Sequence, residues 1–192
     1  MSTWCSTGAA TRRCSRADVR DRVVRIGSAG KTFSVTGWKV GYVTADAKLI
    51  APIARAHQFV TFTTPPALQS AVAFGLRLPD SYYDGLRSAL ETRRDVLVEG
   101  LRAIGFHVGD VDATYFAVAS ASRFDDSGDD AEFCRRLTLQ AGVTAVPISA
   151  FYGDRDVKSH VRFCFAKQRE TLESALERLS RWSRRAGLRA AS

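Results

Sequence analysis

The sequence has few of the residues that build metal centres, and it has none of the long apolar runs that cross membranes. It contains three histidines and four cysteines in 192 residues, and the cysteines do not have the spacing of a zinc site. No stretch approaches the roughly 18 consecutive apolar residues of a membrane helix, and the N-terminal segment lacks the apolar centre of a secretory signal. We therefore expect no metal, no membrane contact, a cytoplasmic location, and Cys134 and Cys164 packed as small apolar side chains.

Acidic residues are in the minority, and this imbalance leaves two interpretations open. The chain has 20 Asp and Glu against 28 Lys and Arg, a net charge of +8. Such an excess fits either a phosphate-rich partner or an arginine-rich surface. The basic C-terminal end, RWSRRAGLR, carries neither interleaved exposed aromatics nor the signature of a nucleic-acid-binding fold. We therefore expect a solvated helix end there, and nucleic-acid binding is the weakest of the functional hypotheses.

The first half of the chain has too few strand patterns to form a complete α/β domain. DRVVRIGS reads as a short buried strand and WKVGYVTA as a second strand. Asp46 is a candidate N-cap for a helix whose apolar face comprises Leu49, Ile50, Ile53, Ala56, His57 and Val60. Pro66 opens another helix, and a long helical stretch then runs from an N-cap at Asp80 or Ser81 to a C-cap at Gly105. These patterns predict two strands followed by three helices.

After Gly105 the pattern alternates between strands and helices. FHVGDVDATYFAVASAS predicts one or two strands around a turn, and VTAVPIS and HVRFCFA predict two more. A capped helix ending at Gly142 and a closing amphipathic helix with Leu172, Ala175, Leu176, Leu179 and Trp182 complete this part. The alternation predicts a compact α+β unit.

Two lysines lie in a glycine-punctuated apolar stretch, SAGKTFSVTGWKVGY, that has no acidic residue. Ser28 and Gly30 predict a tight turn whose outward N–H groups could seat an anion, with Lys31 and Lys39 converging on it. A lysine beside a second cation loses its proton more readily, and a neutral amine attacks an aldehyde to form a Schiff base. The second cation would neutralise a phosphate. A nucleophilic lysine and a phosphate clamp on one loop are what a pyridoxal phosphate site requires, although an isolated lysine is by default a surface residue.

The same stretch resembles the cofactor-lysine segment of class I and II pyridoxal-phosphate-dependent aminotransferases of fold type I, in the branch of the kynurenine and methionine aminotransferases. The resemblance covers roughly residues 20–182. It continues through HQFVTFTTPPALQSAVA, TYFAVA, DDAEFCRRLTLQAGVTAVPISAFYGD and VRFCFAKQRETLESALERL.

The resemblance implies roles for four residues. Lys31 matches the lysine that attaches the pyridoxal phosphate and shuttles the substrate proton, and Ser28 matches the hydroxyl that binds the cofactor phosphate. Lys39 stands where many relatives have a phosphate-binding arginine, so it would supply charge without the bidentate fork. Arg162 matches the arginine that binds the substrate carboxylate. Strand alternation supports that last role, because Val161 and Phe163 would face the opposite side.

The implied fold class is α/β: the C-terminal piece of a fold-type-I large domain followed by a small α+β domain. The expected divisions are a disordered lead-in unlike the family (1–18), the partial large domain (19–92), the small domain (93–186) and a tail (187–192).

The resemblance also indicates what has no counterpart in this sequence. Family members carry, further toward the N-terminus, the aspartate that pairs with the pyridine nitrogen and further contacts to the ring and the phosphate. We therefore expect a truncated transaminase-type protein that transfers an amino group between an amino acid and a 2-oxo acid, as a homodimer or in association with a full-length relative. A catalytically inactive fragment and a C–S lyase on the same scaffold are the alternatives.

Overall fold

The computed structural model describes residues 20–125, 127–153 and 157–185, which divide into two compact units between Tyr82 and Tyr83. This division falls in the first turn of the longest helix, Asp80–Ile104. We predicted a domain boundary between residues 92 and 93, further along the same helix, and as a division between family domains it stays a prediction.

The first unit contains a two-stranded antiparallel ladder and three helices. In the ladder Ile26 lies opposite Val43, and Ser28 lies opposite Gly41. A small apolar cluster of Ala29, Val40 and Val72 forms the core of this unit. Its elements are β1 (Arg25–Ser28), α1 (Ala29–Thr32), β2 (Gly41–Thr44), α2 (Ala47–Val60) and α3 (Pro66–Gly75), with 3₁₀ turns at Arg20–Arg22 and Thr36–Trp38.

The predicted starts of α2 and α3 are confirmed, whereas the helix Asp80–Ile104 begins at Asp80 itself rather than after a cap at Asp80 or Ser81. The Asp46 carboxylate accepts a hydrogen bond from the Lys48 N–H at 3.0 Å and caps α2. Pro66 is the first residue of α3, where the absent N–H of proline costs no helical hydrogen bond.

Two strand predictions for this unit are wrong. β1 is not buried, since Ile26 is 79% exposed, because the ladder has only two strands and a small core. The apolar face predicted for α2 is only partly covered: Leu49, Ile50 and Ile53 are half-buried, but no residue of this helix is fully buried and Val60 is 83% exposed. The second strand is also shorter than predicted, because Lys39 has φ +56° and interrupts the extended backbone before Gly41.

The second unit is an antiparallel sheet with helices. The strand order is β3-β4-β6-β5, and Arg162 of β6 lies opposite Val118 of β4 on one side and Val146 of β5 on the other. The unit contains α4 (Asp80–Ile104, from Tyr83 onward), β3 (His107–Val108), β4 (Phe116–Ser120), α5 (Asp130–Ala141), β5 (Val146–Pro147), a 3₁₀ turn (Ile148–Phe151), β6 (His160–Cys164) and α6 (Arg169–Arg185).

One face of this sheet forms a single core with the helices. Ala117, Ala119, Val161 and Phe163 are buried together with apolar residues of α4, α5 and α6. Side chains alternate along a strand, so the residues between them lie on the opposite face of the sheet, which is more open: Val118 is 40% exposed. The predicted α+β unit is confirmed, and so is the alternation around Arg162.

The helix ends predicted for the second unit are also confirmed. α4 is followed by Gly105, with φ +109°, and α5 by Gly142, with φ +67°. The predicted strand VTAVPIS is only partly confirmed, because β5 is limited to Val146–Pro147 and the chain then enters the 3₁₀ turn. Within residues 20–125, 127–153 and 157–185, each helix is too short or too polar to span a membrane.

Candidate functional site

Lys31 lies in a single helical turn that directly follows β1. Its neighbours Ala29, Gly30 and Thr32 are buried, whereas the lysine itself is exposed. We predicted a tight turn here, and the structure instead has one turn of α-helix, in which the Phe33 N–H donates to the Ala29 carbonyl at 3.0 Å. The buried small residues therefore anchor the turn and leave the lysine side chain outside.

Contacts from other parts of the first unit hold this turn in place. The Ala29 N–H donates to the Val40 carbonyl at 3.1 Å, and the Thr36 hydroxyl donates to the Gly30 carbonyl at 3.1 Å. A Cβ at Gly30 would lie 2.9 Å from the Thr36 Cα, so only glycine allows this close approach.

A second support comes from Tyr82. Its hydroxyl donates to the Thr32 carbonyl at 3.3 Å, and its ring stacks on Phe33 with the centroids 6.1 Å apart.

Ser28, Lys31 and Lys39 all lie at or within three residues of the same end of the β1–β2 ladder. Ser28 pairs with Gly41 in the last register position, Lys31 follows β1 after two residues, and Lys39 precedes β2 by two. Ser28 occupies the N-cap position of α1 but makes no side-chain cap hydrogen bond. Within the described parts of the chain, neither lysine has a carboxylate partner. A hydroxyl and two ammonium groups are therefore available together at this end of the first unit.

Arg162, in the second unit, has an environment that surface arginines rarely have. The carbon of its guanidinium lies 3.9 Å from the centroid of the Phe116 ring and 4.6 Å from that of Phe151. Its Nε is buried and has no hydrogen-bond partner among the described residues. No carboxylate in the same ranges forms an ion pair with it. Two aromatic faces therefore stabilise the cation, while its hydrogen-bonding capacity toward a planar anion is unused.

The segment that carries Phe116 begins at a strained residue. Thr114 has φ +69°, which is unusual for a β-branched side chain, and its hydroxyl accepts a hydrogen bond from the Phe116 N–H at 3.2 Å. This left-handed residue lies two positions before β4, the strand whose Phe116 contacts Arg162.

The structure thus groups three of the four predicted site residues in the first unit and places Arg162 in the second. Sequence reasoning missed Phe151, whose ring contacts the guanidinium, and it also missed Asp130, which is 1% exposed. The available signals were the aromatic residue after VPISA and the paired aspartates at the start of α5. Neither signal distinguishes a structural residue from a site residue.

The two cysteines of the described ranges are free thiols. Burial, and secondarily the negative charge of Asp130, raise the pKa of Cys134 to about 11. This thiol stays protonated at neutral pH and packs as a small apolar group, as predicted.

The sequence of this chain matches the model of a known protein family. The family model of aminotransferase class I and II matches residues 4–179. The match therefore starts inside the segment 1–18, for which we expected no resemblance and which lies outside the described residues.

Individual relatives agree with this match. The methionine aminotransferase of Escherichia coli is 39% identical over 161 residues, which are 84% of this chain and 42% of that protein. The kynurenine–oxoglutarate transaminase of Dictyostelium discoideum is 37% identical over 179 residues, 83% of this chain and 41% of that protein.

The fold agrees as well. The crystal structure of YbdL from Escherichia coli, described as having a methionine aminotransferase function, superposes with a TM-score of 0.86 at 35% identity, over 92% of this chain and 46% of that one. The chain spans less than half the length of these relatives, and its fold is the corresponding part of theirs. The chain belongs to the aminotransferase class I and II family.

Proposed function

We propose that this chain is a pyridoxal-phosphate-dependent transaminase-type protein that transfers an amino group between an amino acid and a 2-oxo acid. The observation that carries the proposal is Arg162: a guanidinium held against two aromatic rings, with a buried unpartnered Nε and no carboxylate partner among the described residues. Such a group is suited to a bidentate pair with the α-carboxylate that amino acids and 2-oxo acids share.

The residues at the end of the β1–β2 ladder fit the proposed cofactor. Ser28 offers a hydroxyl that caps no helix, and Lys39 offers an exposed ammonium, so both are free to hold a phosphate group. Lys31 offers a primary amine on an anchored turn. When bound there, pyridoxal phosphate supplies the aldehyde that accepts the amino group and the ring that withdraws electrons from the substrate carbon.

The chain's own residues then have distinct tasks. Arg162 would bind and orient the substrate carboxylate, while Ser28 and Lys39 would hold the cofactor phosphate. The Lys31 Nζ would attach the cofactor covalently. Once the substrate amine had displaced it, the uncharged Nζ would take the proton from the substrate α-carbon and later return it. The remaining proposals are a homodimer or a complex with a full-length relative, and a cytoplasmic location.

The first test is covalent attachment. The purified chain is incubated with pyridoxal phosphate, reduced with borohydride and mapped by mass spectrometry. We expect the adduct on the peptide that contains Lys31, absent in Lys31→Ala. Lys48→Ala is the matched control, because Lys48 is also exposed and lies 3.4 Å from Asp21. An adduct that is absent from the wild-type chain, or that persists in Lys31→Ala and disappears in Lys48→Ala, would contradict the proposal.

The second test is amino transfer. ¹⁵N-labelled methionine or kynurenine is incubated with 2-oxoglutarate and the loaded chain, and ¹⁵N-glutamate is measured. We expect transfer that falls at least tenfold in Arg162→Ala, because the charge-assisted pair with the carboxylate contributes roughly 1.5–3 kcal/mol. Release of ammonia and a thiol without ¹⁵N transfer would favour the C–S lyase alternative. An adduct at Lys31 with no turnover would favour the inactive fragment.

A further inference from the structure

The carboxylate of Asp130 is buried at the start of α5 but does not cap that helix. The cap is Asp129, whose side chain accepts hydrogen bonds from the Ala131 and Glu132 N–H groups at 3.0 and 3.1 Å. Asp130 is 1% exposed, and both of its oxygens are used elsewhere. One accepts from the Ser149 N–H at 2.9 Å and the other from the Ser149 hydroxyl at 2.5 Å.

A buried carboxylate is costly unless it is fully hydrogen-bonded, and an apolar residue would serve packing alone at least as well. Packing alone therefore does not explain the carboxylate of Asp130, and its hydrogen bonds indicate what it does. It joins α5 to Ser149, a buried residue of the 3₁₀ turn Ile148–Phe151. We call this pair of hydrogen bonds the Asp130–Ser149 clasp.

The turn that the clasp holds carries Phe151. The ring of Phe151 lies against the Arg162 guanidinium, 4.6 Å from centroid to carbon, although 58% of the residue is exposed. Little else fixes this ring: the preceding strand β5 is two residues long, and the following Tyr152 is also half exposed. The clasp is thus a buried polar anchor for the turn from which the half-exposed Phe151 ring contacts the Arg162 guanidinium.

We propose that Asp130 is a positioning residue for carboxylate binding: through Ser149 it holds Phe151 against Arg162 and so sets the orientation of the guanidinium. This inference rests on the proposed function, in which Arg162 binds the carboxylate. Asp130 itself touches neither Arg162 nor, on this proposal, the substrate.

The test reads the orientation of Arg162 and its ligand affinity separately. The Arg162 Nε–H resonance is recorded by ¹H–¹⁵N NMR of the full chain and assigned by its loss in Arg162→Lys. Stacking on Phe116 and Phe151 shifts it upfield through ring currents. We expect Asp130→Ala and Ser149→Ala to reduce this shift, and Asp130→Asn to retain most of it, because an amide can accept from the Ser149 N–H and donate to its hydroxyl.

Affinity is measured by titrating the same resonance with 2-oxoglutarate. We expect Asp130→Ala and Ser149→Ala each to raise Kd about fivefold, and the double variant to be no worse than the stronger single variant, because the two residues act as one unit. Asp125→Asn is the control: it removes a carboxylate of the same unit that pairs with Arg136 rather than Ser149, so stability changes but Kd does not. Ser149→Ala removes a single hydroxyl and keeps the test interpretable if Asp130→Ala does not fold.

The two proposals fail in different ways. If the wild-type chain binds 2-oxoglutarate but Ser149→Ala changes neither the Nε–H shift nor Kd, the positioning role is wrong and the proposed function stands. If the wild-type chain does not bind 2-oxoglutarate at Arg162, the proposed function fails and the positioning role fails with it.

Discussion

Arg162 and Lys31, the two cations at the centre of the proposal, are supported in different ways. Arg162 is held by side chains, since two aromatic rings contact its guanidinium. Lys31 is held by backbone, since its exposed side chain extends from a turn whose other residues are buried. The resemblance located both residues, but it did not indicate this difference, because ring contacts and burial depend on segments distant in the chain.

Asp125 is a titrating residue outside the proposed site whose environment has a measurable consequence. Burial by itself would raise its pKa, but hydrogen bonds from Ser127 and Arg136, together with the positive charge of Arg136, lower the pKa below its ordinary value. The Arg136 Nη2 lies 2.8 Å from one carboxylate oxygen, and the Ser127 hydroxyl donates to the other at 2.6 Å.

We expect this carboxylate to stabilise the second unit at neutral pH and not in acid. Because the folded pKa is below the unfolded value of about 3.9, the contribution is complete above the unfolded pKa and is lost as the pH falls through the folded pKa. Asp125→Asn should lower the free energy of unfolding by about 1.5 kcal/mol at pH 7, and the difference from wild type should shrink below about pH 4. Urea unfolding at several pH values measures the loss of stability at pH 7 and its decrease in acid.

The matched control for Asp125 is Asp84, whose pair with Arg87 is exposed. Asp84→Asn should change stability by less than about 0.5 kcal/mol, because water screens exposed ion pairs. An Asp125→Asn variant that is equally destabilised at pH 3 and pH 7 would contradict the assignment.

At the scale of elements, helix ends were more predictable than strand ends. Asp46, Pro66, Gly105 and Gly142 act locally, through hydrogen bonds or backbone angles that depend only on their own turn, and their predicted roles are confirmed. Strand limits depend on partners. β5 is short because the chain turns at Ile148 into the segment that Asp130 holds, and no local pattern signals that contact.

Gly142 and Gly85 provide a matched pair of substitutions with opposite expected signs. Gly142 ends α5 at φ +67° and donates to the Thr138 carbonyl, so Gly142→Ala should destabilise by about 1 kcal/mol. Gly85 lies inside α4, and a Cβ there would meet nothing within 4 Å, so Gly85→Ala should stabilise by about 0.5–1 kcal/mol. Thermal or urea unfolding measures the stability of both variants. If both substitutions changed the stability in the same direction, the distinction between the left-handed Gly142 and the helical Gly85 would be wrong.

At the scale of the molecule, apolar exposure is concentrated in the first unit. Phe59, Val60 and Phe62 lie within four residues of chain and are 86%, 83% and 74% exposed. Clustered exposed apolar residues favour association, whereas single ones are ordinary on protein surfaces.

We therefore expect the chain to bind a hydrophobic dye and to self-associate through this segment. The double variant Phe59→Ser, Val60→Ser should lower both dye fluorescence and the apparent mass in light scattering. Leu139→Ser is the control, since Leu139 is 70% exposed on a helix of the second unit. This variant should change dye fluorescence and apparent mass very little. Equal reduction by both variants would show that the segment has no special role.

The sequence by itself determined the local features: the helix caps, the alternation that separates Arg162 from Val161 and Phe163, and the motifs by which the family is recognised. These depend on residues close together in the chain. Only the tertiary structure decided that β1 and α2 are exposed, that Arg162 meets two aromatic rings, and that Asp130 is buried on Ser149. Burial and side-chain contacts depend on segments that are distant in the chain and that folding brings together. Contacts of this kind leave no periodic pattern in the local sequence.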